Sequence, residues 1–233
     1  MTGRPEYGET LVYESIVGAV PGVNIAGWRA VFVQVGLFET AVLALAWVYS
    51  LADAALAGTV AVGVAAAGSL GILAFGRLVR TVDLPEPYRR LLFGSSIEVV
   101  LGVFAFVGLV TYLFVVDPAT ASGSLLADLF GPEPPAVVVY VTLLVLWDLC
   151  YRTGATWWAA LVSLWRSLRF RFDAETARRL RRADATNVAA ALSQLALLPF
   201  LRDRPALWWL VAGHVVAVVV VAVLGALSLR VRS

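Results

Sequence analysis

Long apolar stretches, interrupted by short clusters of arginine, proline and acidic residues, dominate the pattern of this chain. A membrane-spanning helix needs about 20 predominantly apolar residues and ends where charges or prolines accumulate. The pattern predicts six such helices, at about residues 30–51, 54–76, 91–115, 135–154, 185–201 and 205–229. The fifth stretch is short and contains Asn187, Gln194 and Pro199, so five spans with a tilted or re-entrant half-helix are the alternative.

The composition supports the same fold class. Hydrophobic residues make up 61% of the chain and charged residues 15%, with a mean hydropathy of +0.85. Soluble domains carry about 25% charged residues, so this chain has too few charges to cover a surface in water. We therefore expect an all-α, multi-pass helix bundle in the cell membrane, with residues 1–233 forming one membrane domain.

The arginines indicate how the bundle is oriented. They concentrate in the predicted loops between helices 2 and 3 and between helices 4 and 5, and at the C-terminus. The loop at 116–134 carries acids and no arginine. The positive-inside rule places the arginine-rich loops and both termini in the cytoplasm. Arg202 and Arg204 are the exceptions to this arrangement.

Two segments are expected outside the spans. Residues 1–27 are acidic and predict a cytoplasmic or interfacial segment with a short amphipathic helix. Residues 155–184 predict an interfacial and basic cytoplasmic segment, in which helix 4 either runs on past the membrane or bends at Gly154, and Asp173 caps a further helix. The arginines that follow are candidates for binding anionic lipid or a partner, unless they reflect topology alone; these are Arg178, Arg179, Arg181 and Arg182.

Ionisable residues in a spanning helix are costly and are therefore candidate functional residues. The intramembrane polar candidates are Glu39, Glu98, Asp148, Arg152, Gln194 and His214. Counting about 1.5 Å per residue from the predicted inner helix ends places the three acids in one layer, with Gln194 near it and His214 farther out. Asp148 and Arg152 are four residues apart in the favourable order for an ion pair on one helix.

An acidic layer has two interpretations. It suits a cation or proton pathway, because carboxylates supply oxygen ligands and exchangeable protons. It equally suits a structural hydrogen-bonded network that fixes how the helices pack. The first interpretation predicts a small transporter or channel-like protein. The second predicts a non-catalytic membrane subunit or scaffold that binds a partner, another copy of the chain or anionic lipid.

Several kinds of chemistry are excluded by residue counts. The chain has no lysine, one histidine and one cysteine, Cys150. A Schiff-base lysine, a P-loop lysine, an internal disulfide and a Cys-rich zinc site are therefore absent. A net charge of +2 is too small to predict nucleic-acid binding. No cofactor is predicted, an enzyme is the least favoured class, and a metal at the acids stays open.

Two stretches carry a family resemblance: RRLLFGSSIEVVLGVFAFVGLVTYLF at 89–114 and LLVLWDLCYRTGATWWAALVSLWRS at 143–167. Together with the opening YGETLVYESIVGA they resemble an uncharacterised family of small multispanning membrane proteins from halophilic archaea. The resemblance implies a membrane location and an archaeal source. It implies no activity.

Overall fold

The computed structural model describes residues 25, 27–120 and 123–232. Its α-helices are α1 Trp28–Val48, α2 Ala52–Arg80, α3 Glu86–Phe93, α4 Ile97–Thr111, α5 Leu125–Phe130, α6 Ala136–Arg169, α7 Ala174–Ser193 and α8 Pro205–Ser228. Helix α4 continues through a π-helical turn, Tyr112–Val116, and a 3₁₀ turn, Asp117–Ala119, and α7 continues as a 3₁₀ helix, Gln194–Leu201. The predicted all-α bundle is confirmed.

Five helical stretches of the described chain are long and apolar enough to cross a membrane. They are Trp28–Val48, Ala52–Arg80, Glu86–Ala119, Ala136–Arg169 and Pro205–Ser228. Many large apolar side chains on them face outward, and Trp47 and Leu227 are 84% and 78% exposed. An apolar outer surface of this kind belongs in lipid, because soluble monomers rarely expose large contiguous apolar patches. The length and composition of these helices therefore indicate a membrane protein.

The arginine-rich loops meet at one end of the bundle, which we call the basic end. Arg179 Nη1 donates to the Thr81 carbonyl oxygen at 3.1 Å, which joins the α7 start to the α2 end. The amide of Arg232 donates to the Phe172 carbonyl oxygen at 2.8 Å, which fixes the C-terminus to the α6–α7 turn. The predicted grouping of these loops is therefore correct, and their cytoplasmic location stays a prediction.

The opposite end, which we call the far end, contains the acidic connection between α4 and α6. Arg204, at the start of α8, donates to Asp128 in α5 at 2.7 Å. Arg204 is thus accommodated at the far end by an acid, which explains why it departs from the arginine pattern of the other loops.

The fifth predicted helix belongs to a longer element. Helix α7 is continuous from Ala174 to Ser193, so the predicted separation at residue 185 is wrong. The described chain passes from Arg179 at the basic end to Arg204 at the far end, so residues 185–201 traverse the bundle. The arginines of α7 keep it outside the five apolar stretches. The N-cap prediction is confirmed, because the Asp173 carboxylate accepts from the amides of Glu175 and Thr176 at 3.0 and 2.9 Å.

Helix α6 runs unbroken from Ala136 to Arg169, without a bend at Gly154. A Cβ at Gly154 would lie 2.6 Å from the Gly102 nitrogen, so this glycine allows α4 and α6 to touch backbone to backbone. The half of α6 after Gly154 is buried in the bundle. The predicted interfacial position of residues 155–184 stays a prediction.

Helix α2 carries small residues where neighbouring helices approach closely. Cβ atoms at Gly58, Gly68 and Gly71 would lie 2.6 to 3.0 Å from side-chain atoms of other helices. Gly63 is different, since a Cβ there would meet nothing within 4 Å. The amphipathic helix predicted before Pro21 lies outside the described residues.

Candidate cavity and buried ion pairs

The three intramembrane acids do not share one layer. The Glu98 carbonyl oxygen lies beside Gly154 of α6. Asp148 precedes Gly154 by six residues, which places it about 9 Å nearer the far end. The predicted layer is wrong because α6 ends at Arg169 rather than at residue 154, so depths counted from its end shift.

Glu39 lies still nearer the far end. Its Oε1 accepts from the Thr59 hydroxyl at 2.6 Å, between α1 and α2. Thr59 is nine residues before Gly68, which packs against the Arg152 side chain. Glu39 therefore lies about 13 Å from the level of Arg152. The three acids occupy different levels and different helix contacts.

Asp148 and Arg152 form the ion pair that their spacing predicts. Arg152 Nη2 lies 2.8 Å from Asp148 Oδ1, and both side chains are at most 2% exposed. The second carboxylate oxygen of Asp148 accepts from Gln34 Nε2 of α1 at 2.8 Å. Gly68 of α2 provides the space for the arginine stem, since a Cβ there would lie 3.0 Å from Arg152 Cγ. Three helices are held together around this pair.

A second buried pair lies nearer the basic end. Arg166 Nη2 donates to Asp184 Oδ2 of α7 at 2.6 Å, and Arg166 Nη1 donates to the Tyr88 hydroxyl of α3 at 3.1 Å. The guanidinium also lies over the Tyr88 ring, 5.4 Å from its centroid. Arg166 therefore fixes α3 and α7 to α6 and does not contribute a free charge to the surface.

A third charge cluster closes the far end. Arg204 Nε lies 2.8 Å from Asp117 Oδ1, and Arg204 Nη2 lies 2.7 Å from Asp128 Oδ2. The other Asp117 oxygen accepts from the Leu125 amide, at the first residue of α5, at 2.6 Å. Both Asp117 and Arg204 are nearly fully buried. The cluster ties the short helix α5 to the start of α8.

A cavity of about 870 Å³ occupies the half of the bundle toward the far end. Ligand pockets of drug-sized molecules have volumes of about 300–1,000 Å³. Helix α5 covers it at the far end through Leu125, Leu129 and Phe130, and α4, α6, α8 and the 3₁₀ helix supply most of the walls. The lining is predominantly aliphatic and aromatic, and no charged side chain of the described residues belongs to it.

Gln194 and His214 are the two predicted site residues that line the cavity. Gln194 is 7% exposed. Among the described residues its side-chain amide makes no hydrogen bond. His214 Nε2 lies 3.4 Å from Thr156 Oγ1, and its ring packs near Trp157 with centroids 6.2 Å apart. None of the three acids and neither residue of the Asp148–Arg152 pair lines this cavity.

Metal binding has little support in the described part of the chain. It contains no group of three His, Cys, Asp or Glu residues placed to hold a metal ion. The three intramembrane acids are separated from one another, because they lie at different levels along the helices. A shared cation site at Glu39, Glu98 and Asp148 therefore does not form within one chain.

Seven exposed arginines lie at the α6–α7 turn, in α7 and at the C-terminus, and we call them the arginine surface: Arg169, Arg171, Arg178, Arg181, Arg182, Arg230 and Arg232. The parallel bridge between Phe172 and Val231 brings the C-terminal arginines beside the α6–α7 turn. Arg179 is partly engaged, since it pairs with Glu175 at 2.5 Å. Hydrogen bonds from Thr176 and neighbouring amides hold the pKa of the Asp173 carboxyl below its usual value, so this acid stays ionised beside the arginines.

Sequence reasoning missed the cavity and two of the three charge clusters. The position of Arg204 could have indicated its cluster, because this arginine lies in a loop where the positive-inside rule predicts none. An acidic partner at that end follows from the cost of leaving it unpaired. The buried pairing of Arg166 was not predictable, because nothing in the sequence distinguishes Arg166 from the other arginines of the predicted basic loop. The cavity depends on how helices distant in sequence pack.

Comparison with known proteins gives a family and no activity. No curated protein and no solved structure matches the chain. The model of a family of unknown function, DUF7530, matches residues 6–225. The expected membership of an uncharacterised family is correct at that level, and the archaeal source stays a prediction. The chain belongs to DUF7530, a family of unknown function.

Proposed function

We propose that this chain is a membrane-embedded binding protein, transporter-like in architecture, that takes an uncharged, lipid-soluble small molecule into the cavity. The observation that carries the proposal is the cavity itself, with about 870 Å³ of space and walls that are almost entirely apolar. Apolar walls favour an apolar ligand, and the absence of a charged group from the described lining disfavours an ionic one.

The rim of the cavity supports entry from the bilayer. Phe104 of α4 and Leu210 of α8 line the cavity, and they are 70% and 65% exposed on the outer surface of the bundle. A lipid-soluble molecule reaches these side chains laterally, without crossing the charged ends of the protein. A transporter of this kind would take up and release its neutral ligand through the lipid-facing side of the bundle.

An ion pathway through the acids has less support. Asp148 is engaged by Arg152 and Gln34, and Glu39 by Thr59 at another level. A pathway needs its exchanging groups to be within reach of each other and of water. The observed arrangement resembles a set of separate structural contacts.

The alternative function is a non-catalytic membrane subunit that docks anionic lipid or a partner through the arginine surface. The exposed arginines at the α6–α7 turn and the C-terminus favour it, at about 1 kcal/mol for each arginine near an anionic membrane. This function does not require a ligand in the cavity. The experiment that follows separates the two.

Filling the cavity tests the proposed function. A Cβ at Gly213, which lines the cavity, would meet no described atom within 4 Å, so Gly213→Leu adds bulk without a backbone clash. We expect Gly213→Leu to lose most of the small molecule that co-purifies with the parent protein in lipid nanodiscs, measured by extraction and mass spectrometry.

The matched control is Gly63→Leu. Gly63 also has open space around its Cβ, but it does not line the cavity. Both variants replace glycine in a helix and so share the same gain in helix propensity, about 1 kcal/mol. An equal ligand content in Gly213→Leu, Gly63→Leu and the parent would contradict the proposal, as would a parent protein that purifies with an empty cavity.

A further inference from the structure

The amide of Gln194 is the first observation that specifies the ligand. The residue is 7% exposed, it lines the cavity, and the described part of the chain offers its side chain no hydrogen-bond partner. The amide therefore borders the open space of the cavity, where the mainly apolar walls leave its hydrogen bonds to whatever fills that space. The amide offers two N–H donors and one carbonyl acceptor to whatever occupies the cavity.

The hydrogen bonds around His214 favour one tautomer of its ring. The Thr156 hydroxyl has one proton, and the Thr153 carbonyl oxygen lies 3.0 Å away to accept it. With that proton so engaged, the contact of 3.4 Å between His214 Nε2 and Thr156 Oγ1 has Nε2–H as the donor. In a neutral imidazole with the proton on Nε2, Nδ1 is an acceptor. Nδ1 makes no hydrogen bond within the described residues.

Gln194 and His214 thus present one donor group and two acceptors to the cavity, whose walls are mainly apolar. A ketone or an ether supplies acceptors only, and would leave Nδ1 of His214 and the Gln194 carbonyl unpaired. A hydroxyl group supplies one donor and two acceptor positions, so it pairs with either acceptor while accepting from the Gln194 amide. A charged headgroup has no counter-charge here, because Asp148, Arg152 and Glu98 lie outside the lining.

We infer, building on the proposed function, that the ligand is a neutral lipid alcohol, a long apolar molecule with a hydroxyl group that hydrogen-bonds Gln194 and His214. Its apolar part fills the cavity toward α5, where Leu125, Leu129 and Phe130 line the far end. The orientation places the hydroxyl deep in the bundle and the apolar chain toward the far end and the lateral rim.

The test compares two probes that differ in one proton donor: hexadecan-1-ol and its methyl ether. Binding of each probe is measured by titration calorimetry on the full chain in nanodiscs of saturated phosphatidylcholine. The parent protein is expected to bind the alcohol about tenfold more tightly than the ether, which is the ratio expected for one net hydrogen bond. In Gln194→Leu both probes are expected to bind more weakly, because each accepts from the amide, and the preference for the alcohol is expected to shrink, because its hydroxyl also loses the carbonyl acceptor.

The matched control is Thr142→Val, which removes a hydroxyl from another part of the same lining. It is expected to keep the preference for the alcohol. His214→Phe is the second variant if Gln194→Leu does not fold, and it is expected to reduce the preference while retaining an aromatic ring beside Trp157.

The outcomes distinguish a failure of the alcohol inference from a failure of the proposed function. Equal binding of alcohol and ether by the parent, with both lost in Gly213→Leu, would leave the proposed function standing and overturn the alcohol inference. Binding of neither probe by the parent would overturn both. A preference that disappears in Thr142→Val and persists in Gln194→Leu would overturn the assignment of the hydroxyl to Gln194.

Discussion

Three buried aspartates of this bundle are paired with arginines of the same chain. The Asp148–Arg152 pair was predictable, because acid and base lie four residues apart on one helix. Its third member, Gln34, was not predictable, because the contact depends on the relative heights of α1 and α6. The same dependence explains why Glu39 was placed at the wrong level: spacing along one helix is encoded locally, whereas register between helices is not.

The buried pair makes a direct prediction about stability. Asp148→Asn removes the carboxylate that lies 2.8 Å from Arg152 Nη2, and breaking a buried ion pair costs about 3–5 kcal/mol. We expect a loss of about 3 kcal/mol in the free energy of unfolding, measured by denaturant titration in mild detergent. The loss is expected to be the same with and without added cations, since the acid is structural.

Glu39→Gln is the comparison variant. Glu39 is less buried and accepts one hydrogen bond, from Thr59, so the expected cost is about 1 kcal/mol or less. Stabilisation of the parent by a specific cation, absent in both variants, would show instead that the acids bind an ion.

At the scale of elements, the apolar stretches located most helices and misjudged two boundaries. Helix α6 passes residue 154 because its last half is packed against other helices, and those contacts satisfy polar residues such as Thr156 and Arg166. Helix α7 merges a basic stretch with an apolar one, because Asp184 in the middle of it has a buried arginine as its partner. A hydropathy profile scores each stretch of sequence separately, so it does not show that these polar residues have partners on other helices.

Helix α5 is the element that covers the cavity, and the Arg204 cluster holds it there. Asp128→Asn removes the α5 carboxylate from Arg204 while leaving the buried Asp117–Arg204 pair intact. We expect faster amide hydrogen exchange in residues 125–130, by about fivefold, because a partly exposed ion pair contributes about 1 kcal/mol. Exchange is measured by mass spectrometry on the protein in nanodiscs.

Glu133→Gln is the matched control for this variant. Glu133 lies in the same connection, is exposed, and neutralising it removes the same unit of charge. Amide hydrogen exchange in residues 125–130 of Glu133→Gln is expected to equal that of the parent protein. Equal acceleration in both variants would assign the effect to net charge rather than to the contact with Arg204.

The two ends of the molecule differ in charge and in packing. Arginines gather at the basic end, and the cavity opens toward the other half of the bundle beneath α5. Composition and arginine distribution were enough to predict the membrane class and the grouping of the loops. The cavity was beyond sequence reasoning, since its lining comes from helices far apart in the chain and its polar residues, Gln194 and His214, were assigned to different depths.

The central claim is that a neutral lipid alcohol occupies the cavity. The most direct measurement is a crystal structure of the protein grown from a lipidic mesophase that contains hexadecan-1-ol. We expect elongated density along the cavity, ending within hydrogen-bond distance of the Gln194 side chain and His214 Nδ1. A cavity closed by inward movement of α8, or chain density without an end at Gln194, would contradict the account.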